Sequence, residues 1–196
     1  MQYYKPSSES DENDDDAPPF GDSQSGHQQS VVPLGAEVIN SFRNQYAAHP
    51  ELKKSLLTVA RSFIAGTGVF TSAAIAPATV ITEYVGEIIR PQVADQREAR
   101  YQAEGKEMYF FALDQERIID ATEAGSCSRL INHSCDPNCF SLTVQVDRAD
   151  PLSNRILIIA KRAIEAGEEL SYNYYTVRSQ ATRRLYPKSD PELTQN

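Results

Sequence analysis

The sequence predicts a mainly-β domain with short helices (an α+β fold), and three observations carry that prediction. After Ala60 the chain breaks into many short runs of β-branched and aromatic residues separated by turn residues. Only one stretch inside that region, 94–105, has a helical composition. A change in composition near residue 33 sets a polar arm apart from the apolar body.

Taken in order, residues 1–33 come first, rich in Ser, Asp, Gln, Pro and Gly. Residues 1–30 hold seven acidic side chains against one lysine. With so few aliphatics the segment cannot bury enough apolar surface to offset its ordering entropy, so a disordered acidic arm is expected. Residues 34–56 read as a helical lead-in. Ile39, Phe42 and Tyr46 recur at helical spacing, as do Leu52, Leu56 and Val59 after Pro50, which predicts two short helices. Residues 57–176 form the expected domain. Its strands are "VITEYVGEII", "MYFFALD", "RIID", "LTVQV", "RILIIA" and "ELSYNYYTV". The helix "ADQREARYQAEG" interrupts them and stops at Gly105. Residues 177–196 make a polar tail that contains no cysteine.

The 196 residues suffice for one well-buried domain plus a tail, and 40% of them are hydrophobic. No apolar run approaches membrane-spanning length, and the N-terminus lacks the apolar core of a signal peptide. Three cysteines, an odd number, fit a reducing compartment better than a disulfide framework. A soluble intracellular protein is therefore expected, with no membrane partner. Most of the net charge of −8 falls in the arm, and the body has no basic block. This argues against direct nucleic-acid binding and leaves room for a cationic peptide.

Four segments carry the candidate chemistry: "GTGVF", "YVGEII", "RLINHSCDPNC" and "GEELSYNY". Gly66 and Gly68 let the backbone approach a ligand or simply make a tight turn, and both readings stay open at this point. Cys127, His133, Cys135 and Cys139 lie close enough in sequence for a Cys₃His zinc site, with core packing as the alternative. Each aromatic of these segments, taken singly, reads as ordinary strand packing.

Together the segments resemble the SET-domain protein lysine methyltransferases. "NHSCDPN" followed by "GEELSYNY" is specific to that family, and "ADQREARY" with "RIIDAT" resembles its trithorax/COMPASS branch, which methylates the fourth-residue lysine of histone H3. The resemblance covers residues 57–176. It implies a β-clip of small sheets in which the Asn-His segment threads under "ELSYNY" in a pseudoknot-like crossing. It implies a cofactor, S-adenosyl-L-methionine, held by Gly66, Gly68, Arg129, Asn132 and His133. It places Tyr174 at the catalytic tyrosine position, Tyr172 where the number of methyl groups is set, and Tyr84, Tyr109 and Phe111 along the substrate-lysine channel. Asp120 and Glu87 are expected to buttress the fold. A histone tail or other basic peptide is the implied partner, with chromatin-complex subunits, and the implied location is the nucleus.

Three departures accompany the resemblance. Relatives carry a "CxCxxxxC" tail whose cysteines join that at position 139 on one zinc, and here residues 177–196 offer none, so no metal is expected. Leu130 replaces the usual Phe, and Asn173 the usual Asp. A non-histone substrate, or a catalytically weak scaffold or peptide-binding module, are the alternative functions.

Overall fold

Phe42, almost fully buried, anchors the first element, α1 (Ala36–Ala48), against Val80, Val144, Leu157 and Ile159. Removing an aromatic of this size from water stabilises the fold by about 1.5–3 kcal/mol. The protein is described by a computed structural model covering residues 35–49, 52 and 54–174. The expected acidic arm and the tail at 177–196 lie outside the described residues.

The second helix of the lead-in does not form. Lys54–Leu56 is a single 3₁₀ turn, and Leu57–Arg61 is strand β1. β1 pairs antiparallel along its whole length with β2 (Thr67–Thr71), from Leu57 opposite Thr71 to Arg61 opposite Thr67. Ladder pairing of the β-branched Thr58 and Val59 overrides the helical spacing. Because Val59 is exposed on β1, no alternation of buried and exposed residues marked the strand in advance.

The remaining elements follow the sequence closely. "VITEYVGEII" divides into β3 (Val80–Glu83) and β4 (Glu87–Ile89), broken at Tyr84–Gly86. α2 (Pro91–Ala103) has proline in its first turn and a face that buries Ala94 and Tyr101. β5 (Phe110–Ala112) and β6 (Ile118–Asp120) complete an antiparallel sheet of order β4-β6-β5. A 3₁₀ turn at Cys127–Leu130 leads into the two-residue strand β7 (Asn132–His133). β8 (Cys139–Gln145) and β9 (Asn154–Ala160) form a long hairpin, and β3 adds to β9, giving the order β3-β9-β8. β10 (Ser171–Tyr172) is the last described strand.

Two connections matter for the site. β10 runs parallel to β7, with Ser171 opposite Asn132 and Tyr172 opposite His133, so two segments distant in sequence meet side by side. The chain leading into β10 lies against β2, where Phe70 bridges Glu169 and Leu170 N–H donates to Val69 O at 2.7 Å. Beneath this junction lies a core of Val69, Ile81, Ile131, Ile158, Ile164 and Leu170. Among the described residues no helix is long and apolar enough to cross a membrane.

Candidate active site

β7 and β10 bring four of the sequence-predicted residues, Asn132, His133, Tyr172 and Tyr174, to one place. Their pairing is extended by Ser134 N–H donating to Tyr172 O at 3.2 Å and Tyr174 N–H donating to His133 Nδ1 at 3.2 Å. Asn138 locks the junction from behind. Its buried amide donates to Glu169 O at 2.7 Å and to a Glu168 carboxylate oxygen at 3.0 Å, while its own oxygen accepts from Ser171 N–H at 2.9 Å.

Four of the five predicted aromatics, Tyr84, Phe111, Tyr172 and Tyr174, form one continuous row. Tyr84 meets Phe111 edge to face at 5.0 Å between ring centres, and Phe111 stacks on Tyr172 at 5.9 Å. Tyr172 lies 4.8 Å from Tyr174, which meets the His133 ring at 5.3 Å. Tyr84 and Tyr172 are buried, whereas Tyr174 is 39% exposed and terminates the row at the surface. Spacings of this kind add stability beyond simple burial and hold ring planes in fixed orientations.

The hydroxyls are placed as specifically as the rings. Tyr174 Oη donates to Ile131 O at 2.6 Å. Its proton is thereby directed to a carbonyl, and the oxygen lone pairs become acceptors for whatever approaches. Tyr84 Oη donates to Tyr109 O at 3.2 Å, fixing the residue that leads into β5. Tyr109 Oη donates to Glu107 at 2.6 Å. Burial first, then the Glu107 carboxylate, raises the Tyr109 phenol above its ordinary pKa, so it stays protonated.

Arg129 is carried by the 3₁₀ turn Cys127–Leu130. Its Nη1 donates to Ala121 O at 2.8 Å, and its guanidinium lies 5.4 Å from the centre of the Tyr109 ring. That geometry makes it a support for Tyr109. Asp120 and Glu87 are gripped by Arg97 at 2.8 and 2.7 Å, and Tyr101 Oη donates to Asp120 at 3.0 Å, so both carboxylates buttress the helix–sheet junction.

The glycines behave differently from each other. Gly66 has a φ of +49° and open space where a side chain would project. Gly68 instead faces the Glu169 carboxylate, whose Cδ lies only 2.8 Å from a Cβ built there. Asn132 Nδ2 lies between these loops, within hydrogen-bond distance of Ser62 Oγ (2.9 Å), Ala65 O (3.1 Å), Thr67 O (3.2 Å) and Glu169 Oε1 (2.9 Å). Ser62 and Glu169 were not singled out from the sequence. The available cue was only local: a serine just past β1 and four residues before a glycine, whose hydroxyl accepts from the N–H groups of Ile64 and Ala65.

The cysteines do not converge. Cys139 is fully buried, and burial pushes its thiol up to about 12, while Cys135 is exposed with Sγ 3.5 Å from His133 Nε2. Among the described residues no three His, Cys, Asp or Glu side chains gather as a metal site.

The site fits a sulfonium cofactor with an amino-acid moiety. Gly66 leaves open space beside the Asn132 amide, and Tyr174 Oη, its proton directed to Ile131 O, offers acceptor lone pairs.

A family model described as "SET domain" matches residues 66–175. The chain is 41% identical over 144 residues to "Histone-lysine N-methyltransferase trr" of Drosophila melanogaster, a match covering 74% of this chain and 6% of that protein. It is 38% identical over 143 residues to "Histone-lysine N-methyltransferase 2D" of Homo sapiens, covering 73% of this chain and 2% of that protein. It is 45% identical over 123 residues to "Histone-lysine N-methyltransferase, H3 lysine-4 specific" of Emericella nidulans, covering 62% and 10%. The chain thus spans a small fraction of the length of the curated relatives it matches.

Proposed function

The chain belongs to the SET domain family, and on that footing we propose that it is a protein lysine N-methyltransferase acting on histone H3 at the lysine-4 type of site. The observation that carries the proposal is the β7–β10 pairing, which delivers Asn132, His133, Tyr172 and Tyr174 together at the end of an aromatic row. The names of the relatives support the reaction and the substrate class.

S-adenosyl-L-methionine would supply an electrophilic methyl on a positively charged sulfur. Gly66, Asn132, His133 and the loop at 63–67 would hold it, with Arg129 supporting the adjoining wall. The protein's own task is to deliver a neutral amine. A lysine ammonium has a pKa of about 10.4, so deprotonating it near pH 7.4 costs roughly 4 kcal/mol. Lining by Tyr84, Tyr109, Phe111 and Tyr172 desolvates the ammonium and lowers that cost. Tyr174 Oη, its proton directed to Ile131 O, accepts from groups at the reacting centre and aligns them. The tightly packed row restricts rotation of the amine, which gives alignment without reorganisation during the reaction.

The acidic composition of residues 1–33 suits a cationic histone tail, and action on histones places the protein in the nucleus with chromatin-complex subunits as partners. Mass spectrometry of histone H3 and its N-terminal peptide, after incubation with the protein and S-adenosyl-L-methionine, tests the proposal. An added 14-dalton mass on lysine 4 is expected; methylation only of a non-histone protein, or none even with partner subunits present, overturns it.

A further inference from the structure

We propose that Glu169 is the positioning residue that sets the orientation of Asn132 and the shape of the loop at 62–67, a role that rests on assigning this loop to the cofactor. One carboxylate oxygen, Glu169 Oε1, accepts from Ser62 Oγ at 2.7 Å and from Asn132 Nδ2 at 2.9 Å. Ser62 Oγ in turn accepts from Ile64 N–H at 2.8 Å and Ala65 N–H at 3.1 Å, and Ser62 N–H closes the loop onto Gly66 O at 2.9 Å. Three segments remote in sequence are tied by one oxygen.

The carboxylate orients the amide together with the Ala65 and Thr67 carbonyls, which Asn132 Nδ2 also reaches at 3.1 and 3.2 Å. An ionised carboxylate only accepts, so the NH₂ end of Asn132 must turn toward Glu169 and its oxygen must turn away. A charge-assisted acceptor makes this arrangement stronger than a neutral one. The backbone bridge between Phe70 and Glu169 fixes where the carboxylate can sit. That position coincides with the volume a Gly68 side chain would fill. The second glycine of "GTG" is therefore required by Glu169, and the first leaves the open edge of the loop.

The test follows the Asn132 side-chain amide by ¹⁵N NMR in the ligand-free protein and, separately, calorimetric titration with S-adenosyl-L-methionine. Glu169→Ala is expected to shift the Asn132 amide, speed its exchange with solvent, and weaken cofactor binding about tenfold, the scale of losing a hydrogen bond to a charged group. Glu169→Gln preserves an oxygen acceptor and is expected to restore both readouts to within about threefold, with the melting temperature moving little. Gly68→Ala is expected to reproduce the Glu169→Ala loss and to add less than about threefold in combination with it, since both act through one contact. Ser62→Ala reads the same coupling with Glu169 in place, should Glu169→Ala fail to fold. An unmoved Asn132 amide in Glu169→Ala, or Glu169→Gln as impaired as Glu169→Ala, overturns the positioning role. A shifted amide in Glu169→Ala with no cofactor binding by wild type supports the positioning role and overturns instead the cofactor reading.

Discussion

The main-chain N–H of Tyr174 donates to Nδ1 of His133, so the tyrosine's backbone and the histidine's tautomer are bound to each other. An Nδ1 that accepts carries no proton, and the neutral ring must then hold its proton on Nε2, facing Cys135 Sγ. His133→Ala is expected to release Tyr174 and cut turnover at least tenfold, given about 1 kcal/mol or more for the lost bond and added freedom of the ring. His133→Asn offers an oxygen acceptor near the same position and should retain more activity. Equal activity of both variants and wild type in a methyl-transfer assay would dismiss the linkage.

Tyr174→Phe should abolish turnover while leaving the protein folded, because only the hydroxyl on Ile131 O is lost. Tyr172→Phe should act on product instead. Tyr172 is packed between Phe111 and Tyr174, and its hydroxyl is expected to crowd a second methylation. Removing it shifts such a balance by about 1–2 kcal/mol, enough to move mainly monomethyl product toward di- and trimethyl-lysine. Mass spectrometry of the product distribution checks this; trimethyl product from wild type and no change in Tyr172→Phe would refute it.

Arg97 clamps the buried Asp120 carboxylate against the exposed Glu87. Arg97→Ala leaves Asp120 buried with its cation gone and should destabilise the protein by about 2–4 kcal/mol in urea unfolding. A change under 0.5 kcal/mol would show that Tyr101 Oη and the Thr122 N–H, which donates to Asp120 at 2.9 Å, alone satisfy the carboxylate.

Glu168 is held down to about 2 by Arg162 foremost, and also by Asn138. Its folded pKa lies below the ordinary value of 4.5, so its contribution to stability is complete above that value and is lost as pH falls toward 2. The melting temperature of wild type should therefore fall across this window, and Arg162→Ala should lower the plateau and flatten the fall. Parallel curves for the two proteins would remove Glu168 from the acid transition.

Cys135 and Cys139 should differ sharply toward a thiol reagent. The exposed Cys135 is expected to react in the folded protein, and the buried Cys139, with its thiol pushed up to about 12, only after unfolding. Peptide mapping after labelling separates them. Rapid native labelling of Cys139 would contradict its burial.

Much of the strand pattern was legible because β8 alternates apolar and polar residues from Phe140 onward and β9 carries a continuous apolar run, and α2 announced itself by composition and Gly105. β1 was misread because most of its residues are exposed, so Leu52, Leu56 and Val59 offered a helical period with nothing to oppose it. The convergence of Asn132, His133, Tyr172 and Tyr174 was legible, because the two motifs that carry them pair as β7 and β10. Ser62 and Glu169 were not, since their bond spans 107 positions and neither neighbourhood signals the other. Nor could the sequence show that the two glycines serve opposite purposes, as that depends on where Glu169 is delivered by the Phe70 bridge.

The β7–β10 ladder has only two residue pairs, and they join parts of the chain almost forty residues apart. The β8–β9 hairpin, by contrast, pairs seven positions across a short connection. Loop-closure entropy delays the first and barely affects the second, so the hairpin assembles early and the β7–β10 junction late. Run in reverse, the same asymmetry makes the junction the first part to open. Hydrogen exchange at Leu170, Ser171 and Tyr172 should outpace that at Leu157 and Ile158, and any partner that clamps the junction would raise activity by suppressing a local unfolding event, with no new contact to substrate.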